Sequence, residues 1–104
     1  RKGVIPMRHP DFDFLLDINE QTSTRYVTFI TPNLNRFDLA ILTTDRFYGK
    51  KIVIDLQTGR SGILGPDDLE EEGVLESVFR ISEEQAGELA EFLSMVLGAV
   101  TFTD

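Results

Sequence analysis

The sequence predicts an α+β domain: an antiparallel sheet of four or five strands in meander order, one long C-terminal helix packed on one face, and a short acidic helix. Three observations carry this. Between residues 25 and 64, β-branched and aromatic residues alternate with polar ones, and turn signals recur every few residues. The connections there are too short for the crossover of a dozen or more residues that a parallel pair requires. Near the C-terminus the apolar period changes from two to that of a helix, over residues 86–97.

Taken in order, Arg25 to Thr31 reads as the first strand. Pro32-Asn33-Leu34-Asn35 follows as a turn, because Pro presets φ and Asn tolerates the left-handed region. Phe37 to Thr44 is the second strand. Phe37, Leu39, Ile41 and Thr43 share one face and Asp38, Ala40, Leu42 and Thr44 the other, and two largely apolar faces indicate a central position. Phe47-Tyr48-Gly49-Lys50 leads into Ile52 to Leu56, the clearest strand of the chain. Gln57-Thr58-Gly59-Arg60 is a hairpin turn with Gly59 supplying positive φ, and the chain returns through Gly62-Ile63-Leu64.

Gly65-Pro66 opens the acidic helix, Asp67 to Glu72, since Pro suits a first helical position and carboxylates favour the N-terminal end of the helix dipole. Gly73 ends it. Val74 to Ile81 is expected to be a further strand with Leu75, Phe79 and Ile81 on one face, a helix being the alternative. Ser82-Glu83-Glu84-Gln85 is a capping box. The helix it starts carries an apolar stripe of Ala86, Leu89, Ala90, Leu93, Val96 and Leu97, widened by Phe92. Glu84, Glu88 and Glu91 lie opposite, and Gly98 is a C-cap.

At 104 residues and 11.8 kDa, folding would take the chain from roughly 17,000 Å² of exposed surface to roughly 5,900 Å², enough for one unaided core. The expected organisation is a flexible N-terminal tail, 1–11, and a single α+β domain, 12–104. Met7 stands as an alternative start, in which case residues 1–6 are not native. The chain has no Cys, which removes disulfides, thiolate nucleophiles and zinc–thiolate sites. It has no apolar run of membrane-spanning length and no apolar leader in its first 24 residues. A cytoplasmic protein with no membrane partner is therefore expected.

The net charge of −8 is unevenly spread. Residues 11–24 carry four acids and no base; residues 25–62 carry six bases (Arg25, Arg36, Arg46, Lys50, Lys51, Arg60) and three acids; residues 63–104 carry eleven acids and one base.

The blocks Arg36-Phe37-Asp38-Leu39-Ala40, Thr44-Asp45-Arg46-Phe47-Tyr48-Gly49-Lys50, Asp55-Leu56-Gln57-Thr58-Gly59-Arg60 and Gly65-Pro66-Asp67-Asp68-Leu69-Glu70-Glu71-Glu72-Gly73 resemble a small family of uncharacterised, domain-of-unknown-function proteins from Bacillus-type bacteria. The resemblance covers residues 12–97. It implies a bacterial, cytoplasmic setting and supplies no activity or binding residues.

Chemistry-bearing constellations are few. His9 is the only histidine and falls in the tail, which leaves no imidazole pair for catalysis or metal binding. Asp38, Asp45 and Asp55 are candidates for an oxygen-only metal site serving a metal-assisted hydrolase; as isolated acids they read more simply as turn caps and cross-strand partners. The run Asp67 to Glu72 lacks the spacing of a calcium loop and reads as a solvated helix start or an acidic docking surface. Gly59-Arg60-Ser61-Gly62 and Phe47-Tyr48-Gly49-Lys50-Lys51 do not lead from a strand into a helix as phosphate loops do. No cofactor, metal or catalytic residue is assigned.

Arg25, Arg36, Arg46, Lys50, Lys51 and Arg60 with Tyr26, Phe37, Phe47 and Tyr48 have a composition suited to single-stranded RNA, against which the overall acidity counts. The leading expectation is a non-enzymatic protein–protein interaction module, homodimeric, acting through an uncovered sheet face or edge. One long helix covers only one face of a sheet whose strands are apolar on both. Partner-binding candidates are Phe47 and Tyr48 with Arg46 and Lys50, because adjacent side chains in a strand point oppositely and one ring must then face out.

Overall fold

A computed structural model of the chain describes residues 11–98. Residues 1–10, including His9 and Met7, and residues 99–104 lie outside the described part.

Four strands, β1 (Ser23–Ile30), β2 (Arg36–Thr43), β3 (Lys51–Asp55) and β4 (Ser61–Leu64), form one antiparallel meander in the order β1-β2-β3-β4. The expected central position of β2 is observed. Three helices follow: α1 (Pro66–Glu70), α2 (Val74–Phe79) and the 15-residue α3 (Glu83–Leu97).

Register decides which face turns inward. Phe29 opposes Phe37, Val27 opposes Leu39, and Ile41 opposes both Arg25 and Val53, so these side chains share one face. With Leu64 they join Leu75, Phe79, Ala86, Leu89 and Leu93 of the helices in a single buried cluster. Phe29 stacks on Phe37 at 5.3 Å between ring centroids and meets Phe92 of α3 at 4.4 Å, tying the edge strand to the long helix. Gly62 of β4 shows how close the layers come. A Cβ added there would stand 2.8 Å from Val78 Cγ1.

Residues 74–81 correct the strand expected there: Val74–Phe79 is α2, so the sheet has four strands and no fifth. Leu75 and Phe79 are four apart, a spacing that places two side chains on one face at either period. The β-branched Val74 and Val78 tilted the reading toward a strand. Gly73 at φ 85° starts α2 directly after α1, and Arg80 at φ 59° stops it, leaving a helix of 6 residues.

The turn chemistry is as read for Gly59 (φ 83°) and Gly98 (φ 79°). At the β1–β2 turn the left-handed residue is Leu34 (φ 67°) rather than either asparagine. Both asparagine side chains are committed elsewhere, to α3. The Ser82–Gln85 capping box forms in full: Gln85 N donates to Ser82 Oγ at 3.1 Å and Ser82 N to Gln85 Oε1 at 3.0 Å. At α1, Gly65 N donates to Asp68 Oδ2 at 2.7 Å.

Candidate functional site

The helices cover one sheet face, and the other has no element on it among the described residues. Its side chains stand in rows across the strands. Thr24, Leu42, Ile52 and Ile63 make the first row, Tyr26, Ala40, Ile54 and Ser61 the second, and Thr28, Asp38 and Leu56 the third. Tyr26 is 71% exposed and Ile63 45%; Leu42, Ile52 and Ile54 are half-buried by their neighbours on the pleat. The first two rows therefore form an apolar surface bounded by the third.

The third row is a polar knot. Thr28 Oγ1 and Gln57 Nε2 each donate to the Asp38 carboxylate at 2.6 Å, and Arg36 Nε lies 3.2 Å from it. The Thr28 and Gln57 hydrogen bonds, then Arg36, hold Asp38 below the usual carboxylate range.

The proposed partner-binding residues Arg46, Phe47, Tyr48 and Lys50 sit in the loop between β2 and β3, next to the first apolar row. The loop is a turn and not a strand, with Gly49 at φ 73° and Lys50 N donating to Phe47 O at 3.1 Å. Tyr48 is fully exposed and Phe47 half-buried. Arg46 is exposed, whereas the Lys50 ammonium pairs with Asp68 of α1 at 3.3 Å.

Two acidic side chains pin the irregular segments, and the sequence pattern marked neither. Glu20 accepts from Thr44 Oγ1 and from Asp45 N, both at 2.7 Å, which fastens the segment before β1 to the β2–β3 loop. Those bonds, with help from Arg46, lower its pKa. Glu88 of α3 accepts from Asn33 Nδ2 at 2.9 Å and Asn35 Nδ2 at 2.7 Å, gripping the β1–β2 turn. The Asn35 bond is the largest cause of its lowered pKa. Glu88 shares the polar side of α3 with Glu84 and Glu91, and only the turn's position in space distinguishes it.

Asp38, Asp45 and Asp55 are not brought together. Asp38 is on the open face, Asp55 shares the register of Leu39 on the helix-covered face and accepts from Gln57 N, and Asp45 lies beyond the far end of β2. No group of three or more His, Cys, Asp or Glu is placed to hold a metal among the described residues. The bases are also divided: Arg25 and Lys51 fall on the helix-side register, Arg36 on the open face, and Arg46 and Arg60 in turns. No described helix is long and apolar enough to cross a membrane.

Two grooves complete the surface. Phe29, Ile30, Pro32, Phe92 and Met95 line one of about 670 Å³ at the β1–β2 end. A smaller one, about 240 Å³, runs between α1–α2 and α3 with Glu70, Glu71, Glu72, Glu76 and Glu83 around Leu75, Ala86 and Ala90.

A family model described as SAV0927-like matches residues 15–95, which span all four strands and nearly all of the helical layer. The chain belongs to the SAV0927-like family. That description attaches no activity to its members. No curated protein matches the chain.

Proposed function

We propose that the protein is a non-enzymatic interaction module of the bacterial cytoplasm that associates with a second copy of itself through the open sheet face. The observation behind this reading is the two-row apolar surface of Tyr26, Leu42, Ile52, Ile54 and Ile63, which no described element covers. Contiguous exposed apolar surface on a small domain is the usual mark of an interface, because leaving it wet sacrifices burial free energy. Tyr48 and Arg46 flank the first row and supply the aromatic and guanidinium groups that anchor interfaces. The absence of Cys suits a reducing compartment.

The test is molar mass by light scattering or sedimentation for the wild type and for Tyr26→Asp and Ile63→Asp. Both residues are exposed, so the substitutions leave the core intact. A dimer that the aspartates convert to monomer supports the reading; a wild type that is strictly monomeric at high micromolar concentration contradicts it. Single-stranded RNA binding by the basic strands is the competing reading, and no face of the sheet gathers the bases it needs. Salt-sensitive RNA binding between about 50 and 200 mM would favour it.

A further inference from the structure

Between residues 11 and 22 the chain forms neither helix nor strand, yet it displays Phe14, Leu15, Leu16 and Ile18 to solvent. Leu15 is 98% exposed and touches almost nothing. Such an apolar run on a solvated segment costs free energy unless a surface receives it. The segment is not lying on its own sheet, where Tyr26 and Ile63 remain open. Its root is nevertheless fixed, because Glu20 binds Thr44 and Asp45.

Resting on the self-association reading above, we propose that this segment is an exchange arm: Phe14 to Ile18 of one copy lie across the open sheet face of a second copy, and the second copy's arm does the same in return. Three quantities support the assignment. Five extended residues span roughly 16 Å, close to the three gaps of roughly 4.8 Å that separate four strands. The exposed parts of the four side chains amount to roughly 350–400 Å² per arm on ordinary side-chain areas. Two reciprocal arms, each covering an equal area of sheet, bury about 1,500 Å² in total, within the roughly 1,200–2,000 Å² of stable specific interfaces.

Charge selects the layer. Residues 11–22 carry Asp11, Asp13, Asp17 and Glu20 and no base. The helical region 66–97 carries ten acids and one base and repels such a segment, whereas the strand region 25–62 has six bases against three acids. The arm is thus attracted to the sheet layer of its partner and away from the helices.

The chain's lack of cysteine makes the test clean. Leu15→Cys and Ile63→Cys are introduced into separate, differently tagged copies, mixed and oxidised. In parallel, L15D/L16D is measured by sedimentation beside Ile63→Asp. The arm proposal expects a disulfide between the two tags and a dissociation constant weakened about 100-fold or more in L15D/L16D, since each Leu loses the burial of a large side chain. If L15D/L16D remains dimeric and no cross-link forms while Ile63→Asp is monomeric, the arm proposal is overturned and the sheet-face reading stands. If Ile63→Asp and the wild type dimerise equally, or the wild type is a monomer, both fall.

Discussion

Glu88 is the side chain on which most of the β1–β2 connection depends. Its two oxygens receive Asn33 and Asn35, and Asn35 N and O close onto Thr31 at 3.0 and 2.9 Å. The folded protein binds the Glu88 proton less tightly than the unfolded chain does, because the pKa is lowered on folding. Its contribution is therefore complete above the ordinary glutamate value of about 4.3 and is lost as pH falls toward the folded value. Thermal denaturation from pH 7 to 3 should show Glu88→Gln less stable than wild type at neutral pH, with the gap narrowing below about pH 4; a constant gap would contradict the assignment. Leu34 and Arg80 make the opposite kind of statement. Each holds a left-handed φ that costs a non-glycine residue about 1 kcal/mol. Arg80→Gly should stabilise the protein by roughly 0.5–1 kcal/mol in urea denaturation. In the β2–β3 loop, Tyr48→Ala should change stability by less than about 0.5 kcal/mol, whereas Phe47→Ala, half-buried, should cost more. Under the proposed function, Tyr48→Ala weakens association, and equal destabilisation by the two with no effect on association would remove the loop from the interface.

The packing of α2 on β4 is the tightest joint between elements. Gly62→Ala would force a methyl to 2.8 Å from Val78 Cγ1 and should cost about 1–3 kcal/mol. Adding Val78→Ala should recover most of that loss in a double-mutant cycle, and additive losses would mean that the clash is not the cause. Strands β1 to β4 were legible because each places apolar residues at period two between Pro, Asn or Gly turns, and α3 because its capping box and its stripe agree. Helix α2 was not, since at six residues it has too few turns for a helical period to separate from a strand period. The anchors Glu20 and Glu88 were illegible for another reason. Each meets groups 24 to 55 residues away, and nothing local distinguishes a carboxylate that reaches a partner from one that faces water.

At the scale of the molecule, a single helical layer covers a sheet that is apolar on both sides, and the chain carries a further apolar segment before its first strand. The apolar parity of both strand faces was readable from residues 37–44 and 52–56, which is what led from sequence to an uncovered face. Which face stays open was not, because period two fixes the two sets and only the seating of the helices chooses between them. The account stands on self-association through that face. Sedimentation equilibrium of the wild type and Ile63→Asp, side by side from low to high micromolar concentration, tests it most directly. The account predicts a wild-type dimer and a folded, monomeric Ile63→Asp; a wild type that stays monomeric throughout, or an Ile63→Asp that dimerises as well as the wild type, would contradict it.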